Sequence, residues 1–585
     1  MQNTLQSTKT FATKTFATKT FATKTFATRP FTTRPFATKT SAPLLLALVL
    51  AGCVSAHKPA ANGHLALGGH APEVRDEAEL RAFLDDLEAQ EFLVSIGLGL
   101  EEYNQWRGNS PHFVAEFTRF SNDIHSRRDY AVVIDQWHGK VNDPMLARRL
   151  ELHHRDFLQA RADPAMVHAL SDAQVELQDT VDAFRFDVGG EKLTMTAVTE
   201  KLRLNADRAV RRAAFMASTQ SGAAHADAIV ACMKLNDQIA RAEGFPNGAE
   251  AGLVMQGLTR AQAIHDLEAF EESTRPVLES MIAQAKRDLK VDELQPWDID
   301  YWLYLQETAG GSDAWPRDAG VTRMKDLMTA IGFEPEKMPI DVGVRDVPVG
   351  GIAFPVRPPF EAWLLTNPFS GSDFYETLFH EYGHTLNGVL IDAKLPPALL
   401  TLDEGPMSEG IAETLGHFAY DAHWLARAAG VTPERATQLE RVGKMQLLLW
   451  LRRSICLNAH FEALAYDGLA SRSNADLDAL YAQSYKRFMR MDLPNGRFFG
   501  SRDMLGTSAT YFDSYLYANM VATQLREAMR KEFGVSDLSN DKRVGPWMVK
   551  HLFAPGASIA WQEKVREATG KPLDTQALAK YLDLR

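Results

Sequence analysis

Three cysteines in 585 residues, Cys53, Cys232 and Cys456, are too few for a disulfide framework or a cysteine-built zinc site. One of them lies in an N-terminal export segment, so at most one bridge can form, and any metal must be held by His, Asp or Glu. Positive charge is also in short supply. The formal net charge is −12 and the pI is near 5.8, which excludes the basic surface that nucleic-acid binding needs. Acidic residues are missing altogether before Glu73, which sets the first 72 residues apart. The apolar run "APLLLALVLAGC" is too short to span a bilayer comfortably. What remains is an ordinary globular composition, 45% hydrophobic and 24% charged, in a chain long enough for a large core or for two lobes sharing one.

The N-terminus reads as a leader. Residues 9 to 40 repeat a five-residue unit, "TKTFA" drifting to "TRPFT" and "TRPFA", too short to bury a face against a neighbour and so expected to be disordered. The apolar run that follows fits the h-region of a secretory signal. Leu50-Ala51-Gly52-Cys53 resembles the lipobox of bacterial lipoproteins, which implies cleavage before Cys53, a lipid on that cysteine and a place in the bacterial cell envelope, facing the periplasm or in the outer membrane. A plain secretory signal, releasing the protein to the periplasm, is the alternative. Residues 1–53 are therefore assigned as leader and signal, 54–72 as an Ala/Gly/His-rich linker, and 73–585 as the folded domain.

Helical patterning dominates that domain. Leu80, Phe83, Leu84 and Leu87 follow the spacing of an amphipathic helix. "LNDQIARAEGFPNGAE" predicts a helix stopped at Gly244, with Pro246 in the turn beyond. A β-like interruption, "VPVGGIAFPVRPPFEAWLLTNPF", occupies 347–369, and helices resume near 373. The expected fold is mainly α: a large two-lobed helical domain with a deep cleft and a small β element before one particular helix.

That helix carries "YETLFHEYGHTLNGVL", Tyr375 to Leu390, in which His380, Glu381 and His384 form H-E-x-x-H. At i and i+4 the two imidazoles lie on one helix face, one turn apart, where both can reach one ion. The glutamate between them is offset toward a water on that ion. Asp373 and Glu376 have capping-box spacing at the start, and Asn387-Gly388 supplies a stop. Chance gives such a pattern about 0.03 times in a chain of this composition, so solvated surface histidines stand as the bland reading. A catalytic zinc needs a third protein ligand. "DEGPMSEGIAETLGHFAYD" offers Glu409, 25 residues after His384, and Glu413 one turn on. Glu413 is placed to hold the far nitrogen of a ligand histidine. An exposed acidic face is the alternative; Gly410 and Gly416 argue against it by reading as close helix packing. His153, His154, His417 and His423 lack a ligand pattern, and "MQLLLWLRRSICLNAHF" reads as core.

"ETLFHEYGHTLNGVL", together with "PWDIDYW" at 296–302 and "TNPFSGSDFYETLFHEYGH", resembles the thimet oligopeptidase and dipeptidyl carboxypeptidase family of gluzincins, strongly over 290–420 and weakly before 200. The resemblance implies Zn2+ held by His380, His384 and Glu409, with Glu381 as the catalytic glutamate. It also implies a zinc-site core over about 290–530. Two positions depart from the family: Asn387 stands where a histidine is usual, and Glu409-Gly410-Ile411-Ala412-Glu413 replaces Glu-x-Pro-Ser. The second is closer to the angiotensin-converting-enzyme-like peptidyl-dipeptidases. The family's oxyanion donor is a late tyrosine; "TSATYFDSYLYANM" offers Tyr511, Tyr515 and Tyr517, of which Tyr515 and Tyr517 are preferred. Arg497 and Arg502 are candidates for a substrate carboxylate, and Ala362–Phe369 is either a substrate-pairing strand or an internal one.

The expected function is hydrolysis of short peptides by zinc-activated water with a glutamate base, as an oligopeptidase or dipeptidyl carboxypeptidase. The expected partners are short peptides, with no nucleic acid and no membrane contact beyond the lipid anchor at Cys53. Two other classes compete: a non-catalytic peptide-binding envelope lipoprotein on a peptidase scaffold, and a structural envelope protein without metal.

Overall fold

The amphipathic spacing from Leu80 to Leu87 lies in the helix Glu77–Trp106. Asp76 caps it, its carboxylate accepting from the Ala78 and Glu79 amides. The buried face of this helix joins Ile134, Leu146, Leu150 and Phe157 in a core of its own. These descriptions come from a computed structural model that describes residues 70–108, 113–309, 314–347, 349–402 and 404–584. The leader, the signal and the linker as far as 69 lie outside the described residues. The helix read as ending at Gly244 runs Arg208–Glu243, and Gly244 takes the left-handed conformation (φ 105°) that terminates it.

The described residues fall within one unit, Gly63–Arg585. Helix accounts for 71% of the structure and strand for 5%, which makes the class mainly α. A second and larger core runs through the remaining helices, from Leu177 to Leu582. No helix among the described residues is long and apolar enough to cross a membrane.

Two small sheets interrupt the helices. β1 (Phe186–Val188) and β2 (Glu191–Leu193) form a hairpin. β3 (Ile340–Val344), β4 (Gly351–Arg357) and β5 (Glu361–Thr366) form a three-stranded sheet in the order β3-β5-β4. β5 pairs parallel with β3, Ile340 opposite Ala362, and antiparallel with β4, Gly351 opposite Thr366. The segment Ala362–Phe369 is thus internal over its strand residues. With both edges of β5 occupied, it has no free backbone to offer a peptide, and β4 holds an edge of the sheet instead.

The H-E-x-x-H helix spans Ser372–Val389 and packs on β4, β5 and the helix Gly405–Gly416. Its start is not the capping box that Asp373 and Glu376 suggested. The N-cap is Gly371, and the Ser372 amide donates to Glu307 Oε1 at 3.0 Å. A glutamate on a distant helix does the capping, which leaves Glu376 inside the helix and free for other work. The helix of His380 and His384 and the helix of Glu409 approach closely because Gly383 faces Ala412: a Cβ there would lie 2.9 Å from the Ala412 Cα. At Gly410 a Cβ would meet Val521 at 2.7 Å, and at Gly416 it would meet Glu376 Oε1 at 2.9 Å, so both glycines sit in packed contacts.

Candidate metal centre

One turn separates His380 from His384, and both rings turn their Nε2 atoms inward, 3.1 Å apart. The helix Gly405–Gly416 opens with Pro406 in its first turn and brings in Glu409. Glu409 Oε2 lies 3.2 Å from His380 Nε2 and 3.5 Å from His384 Nε2. Ligands about 2.05 Å from one tetrahedral ion stand about 3.3 Å from each other, so the three atoms already have the mutual spacing of such a cage. Glu409 Oε2 is also buried without a hydrogen-bond partner. A buried carboxylate oxygen facing two imidazole nitrogens in this way fits a cation, and neutral histidines with a carboxylate are the donors a catalytic zinc takes.

The surroundings orient the ligands. Ser408 Oγ lies 3.2 Å from His384 Nδ1; with Nδ1–H donating to it, Nε2 keeps its lone pair for the ion. Behind the other ring, Glu413 Oε1 is 3.8 Å from His380 Nδ1, while its Oε2 is 3.4 Å from His417 Nε2. Glu376, His380 and Glu413 form a second close group of donors on that side. Burial and then the neighbouring Glu413 raise the Glu376 carboxyl to about 8. Ser408 escaped the sequence reading, and Glu376 entered it only as a capping residue. Only their position one residue or one turn from a ligand pointed to them.

Burial alone would raise the Glu409 carboxyl. The charges on His384 and His380 overcome it and hold the group far below the usual carboxylate range. For Glu381 the balance is reversed: burial outweighs the two histidines, and its pKa is raised. Glu381 is packed against β4, where a Cβ on Gly351 would lie 2.6 Å from the Glu381 Cγ. Only glycine lets that edge strand come so near the carboxylate.

The three tyrosines part company here. All belong to the helix Tyr511–Phe533, which packs against Gly405–Gly416. Tyr511 donates its hydroxyl to Glu409 Oε1 at 2.6 Å. Tyr515 sits edge-on to Tyr511, with ring centres 5.7 Å apart, and against Trp450. Tyr517 donates to the buried Asp266 at 2.6 Å. Of the preferred pair, Tyr515 lies beside the cage and Tyr517 is tied to another carboxylate, while Tyr511 bonds the cage directly. The rotation of the helix against its neighbours decides which hydroxyl bonds Glu409.

The arginines proposed for a carboxylate are engaged, Arg497 with Asp478 at 3.3 Å and Arg502 with the Tyr481 hydroxyl at 3.2 Å. His153 and His154 bond Glu88 and Asp135, and His417 bonds Asn519. The group Asp421, His423 and Asp537 also lies close together, but Asp421 is taken up by Arg526 and Asp537 by Arg427.

Two family models match the chain, Peptidase family M3 over residues 202–310 and Carboxypeptidase Taq (M32) metallopeptidase over 469–585. The chain is a metallopeptidase, with one segment similar to M3 and another to M32 peptidases. The matches flank the ligand helices without covering them, so the ligand assignment rests on the geometry above. No curated protein matches by sequence. Solved structures share the metallopeptidase's fold at low identity. PZ peptidase A with an inhibitor has 15% identity, covers 87% of this chain and 92% of its own, and gives a TM-score of 0.65. A Pyrococcus furiosus carboxypeptidase has 13% identity, 87% and 99% coverage and a TM-score of 0.61. The M32 carboxypeptidase of Deinococcus radiodurans R1 has 15% identity, 87% and 98% coverage and a TM-score of 0.60.

Proposed function

We propose that the metallopeptidase binds zinc through His380, His384 and Glu409 and hydrolyses short peptides. The observation that carries this reading is the convergence of those three donors beside a buried Glu381. Zinc held there supplies a Lewis acid and lowers the pKa of a water from about 16 toward about 7. Glu381 would take a proton from the attacking water onto its carboxylate and pass it to the leaving amine. The Tyr511 hydroxyl turns its one proton from Glu409 Oε1 to the peptide carbonyl oxygen as charge develops on it. The substrate backbone pairs with the edge of β4, beside Gly351 and Glu381, which gives affinity with little demand on side chains.

Three cleavage modes fit this machinery: internal cutting, release of a C-terminal dipeptide, and removal of single C-terminal residues as in the M32 carboxypeptidases. The Leu50–Cys53 signature supports an envelope location with anchoring through Cys53, where short peptides are to be turned over. The test is metal removal by a chelator followed by zinc add-back, with a short peptide offered with a free and with an amidated C-terminus. Activity is expected to fall and return with zinc. Amidation stops exopeptidase release but leaves internal cutting intact, and product sizes separate one residue from two. A protein that binds the peptide and never cleaves it, zinc-loaded, supports the non-catalytic reading instead.

A further inference from the structure

The helix that presents Tyr511 begins on a backbone conformation its own sequence resists. Thr510, the residue before it, has φ 61° and ψ 9°, in the left-handed region that a β-branched side chain rarely enters. Such conformations persist only where their surroundings over-determine them.

Thr510 is held from three directions. Its amide donates to Glu462 Oε1 at 2.9 Å. Its carbonyl accepts from Gln256 Nε2 at 2.8 Å, and its hydroxyl oxygen from the same nitrogen at 3.1 Å. Its side chain rests on Gly252, where a Cβ would lie 2.4 Å from the Thr510 Oγ1. The holders are themselves fixed. Gln256 Oε1 accepts from Ser514 Oγ at 2.7 Å, and the Gln256 carbonyl accepts from Trp561 Nε1 at 2.9 Å. Gln256 thus grips the first turn of the helix on both sides of Tyr511, at 510 and at 514. Glu462 is fully buried, and its second oxygen has no hydrogen-bond partner. A buried carboxyl with one oxygen given to a single amide is costly, and the amide it holds is that of Thr510. The same turn touches the helix of the third ligand, since a Cβ on Gly405 would lie 2.4 Å from Ser514 Oγ and 3.4 Å from the Tyr511 ring.

We propose that Thr510, clamped by Gln256, Glu462 and Gly252, is the positioning residue that aims the Tyr511 hydroxyl into the metal centre; this rests on the reading of Tyr511 as the carbonyl donor. Thr510 acts through Tyr511. A relaxed first turn would let the ring swing away from Glu409 while the three ligands stay in place, so the clamp governs turnover more than metal retention.

The test compares Thr510→Val, which keeps the shape and loses the hydroxyl, with Thr510→Ser, which keeps the hydroxyl, each alone and in a Tyr511→Phe background. Thr510→Val is expected to lower kcat by about tenfold or more with KM within about twofold, and Thr510→Ser to restore it. In the Tyr511→Phe background Thr510→Val is expected to cost nothing further. A readout independent of turnover is amide hydrogen exchange of the metal-free protein at residues 512–515, faster in Thr510→Val and not in Thr510→Ser. If Thr510→Val fails to fold, Gln256→Met, which removes the donor to Thr510, is expected to give the same kcat-selective loss. Full additivity of Thr510→Val with Tyr511→Phe, or unchanged exchange, overturns the positioning role alone. Unchanged kcat in Tyr511→Phe overturns the part given to Tyr511 itself.

Discussion

Tyr511 and Tyr517 lie on one helix and face different carboxylates, Glu409 and Asp266. Tyr511→Phe is therefore expected to lower kcat by about a hundredfold, with a stability cost similar to that of Tyr517→Phe because the buried Glu409 also loses a donor. Tyr517→Phe is expected to leave kcat intact and cost about 1–2 kcal/mol, because the buried Asp266 loses a donor. Steady-state kinetics and denaturant unfolding of the two variants separate these effects. Replacing Glu381 with Gln is expected to abolish turnover while zinc content stays at one per chain, read by elemental analysis; undiminished turnover would contradict its role as base. The paired histidines and Glu381 were legible because a period of 3.6 fixes them on one helix face. The tyrosine was not, since three tyrosines in seven residues can be ranked only by what packs around the helix. Ser408 was hidden for the same reason: a serine beside a glutamate carries no signal until a ring nitrogen is found next to it.

Among the elements, the sequence marked the H-E-x-x-H helix and the third-ligand helix well and their ends poorly. The capping-box spacing of Asp373 and Glu376 is local, whereas the bond that starts the helix comes from Glu307, 65 residues away in sequence. The β element before the helix was visible in its glycines and prolines. Which strand lies inside depended on β3, whose parallel pairing with β5 no local pattern announces. The cage itself is a product of two helices in close contact at Gly383. Gly383→Val is expected to push the helix Gly405–Gly416 outward and weaken zinc binding by about 10- to 100-fold, measured by chelator competition. A tether reinforces that helix from the N-terminal core: Arg148 and Arg155 both donate to Glu404 Oε1 at 3.0 Å, at the N-cap of the third-ligand helix.

Across the whole molecule, stability and chemistry draw on different residues. Arg452 is fully buried, donating to Glu271, to the Phe488 carbonyl and to Thr274, none of them a group assigned to catalysis. Arg452→Met removes one of the two arginines on the buried Glu271 carboxylate, leaving Arg275, and is expected to cost about 1–3 kcal/mol, seen as a lowered unfolding midpoint with zinc stoichiometry unchanged. The helical class was readable from periodicity along the chain; the small N-terminal core beside the large one was not. The central claim concerns one point in this architecture, where two imidazoles and a distant carboxylate meet. It is tested most directly by a crystal structure of the zinc-loaded protein with anomalous data at the zinc edge. One peak is expected about 2.0–2.1 Å from His380 Nε2, His384 Nε2 and a Glu409 oxygen. An ion bound elsewhere, or a cage without Glu409, would contradict it.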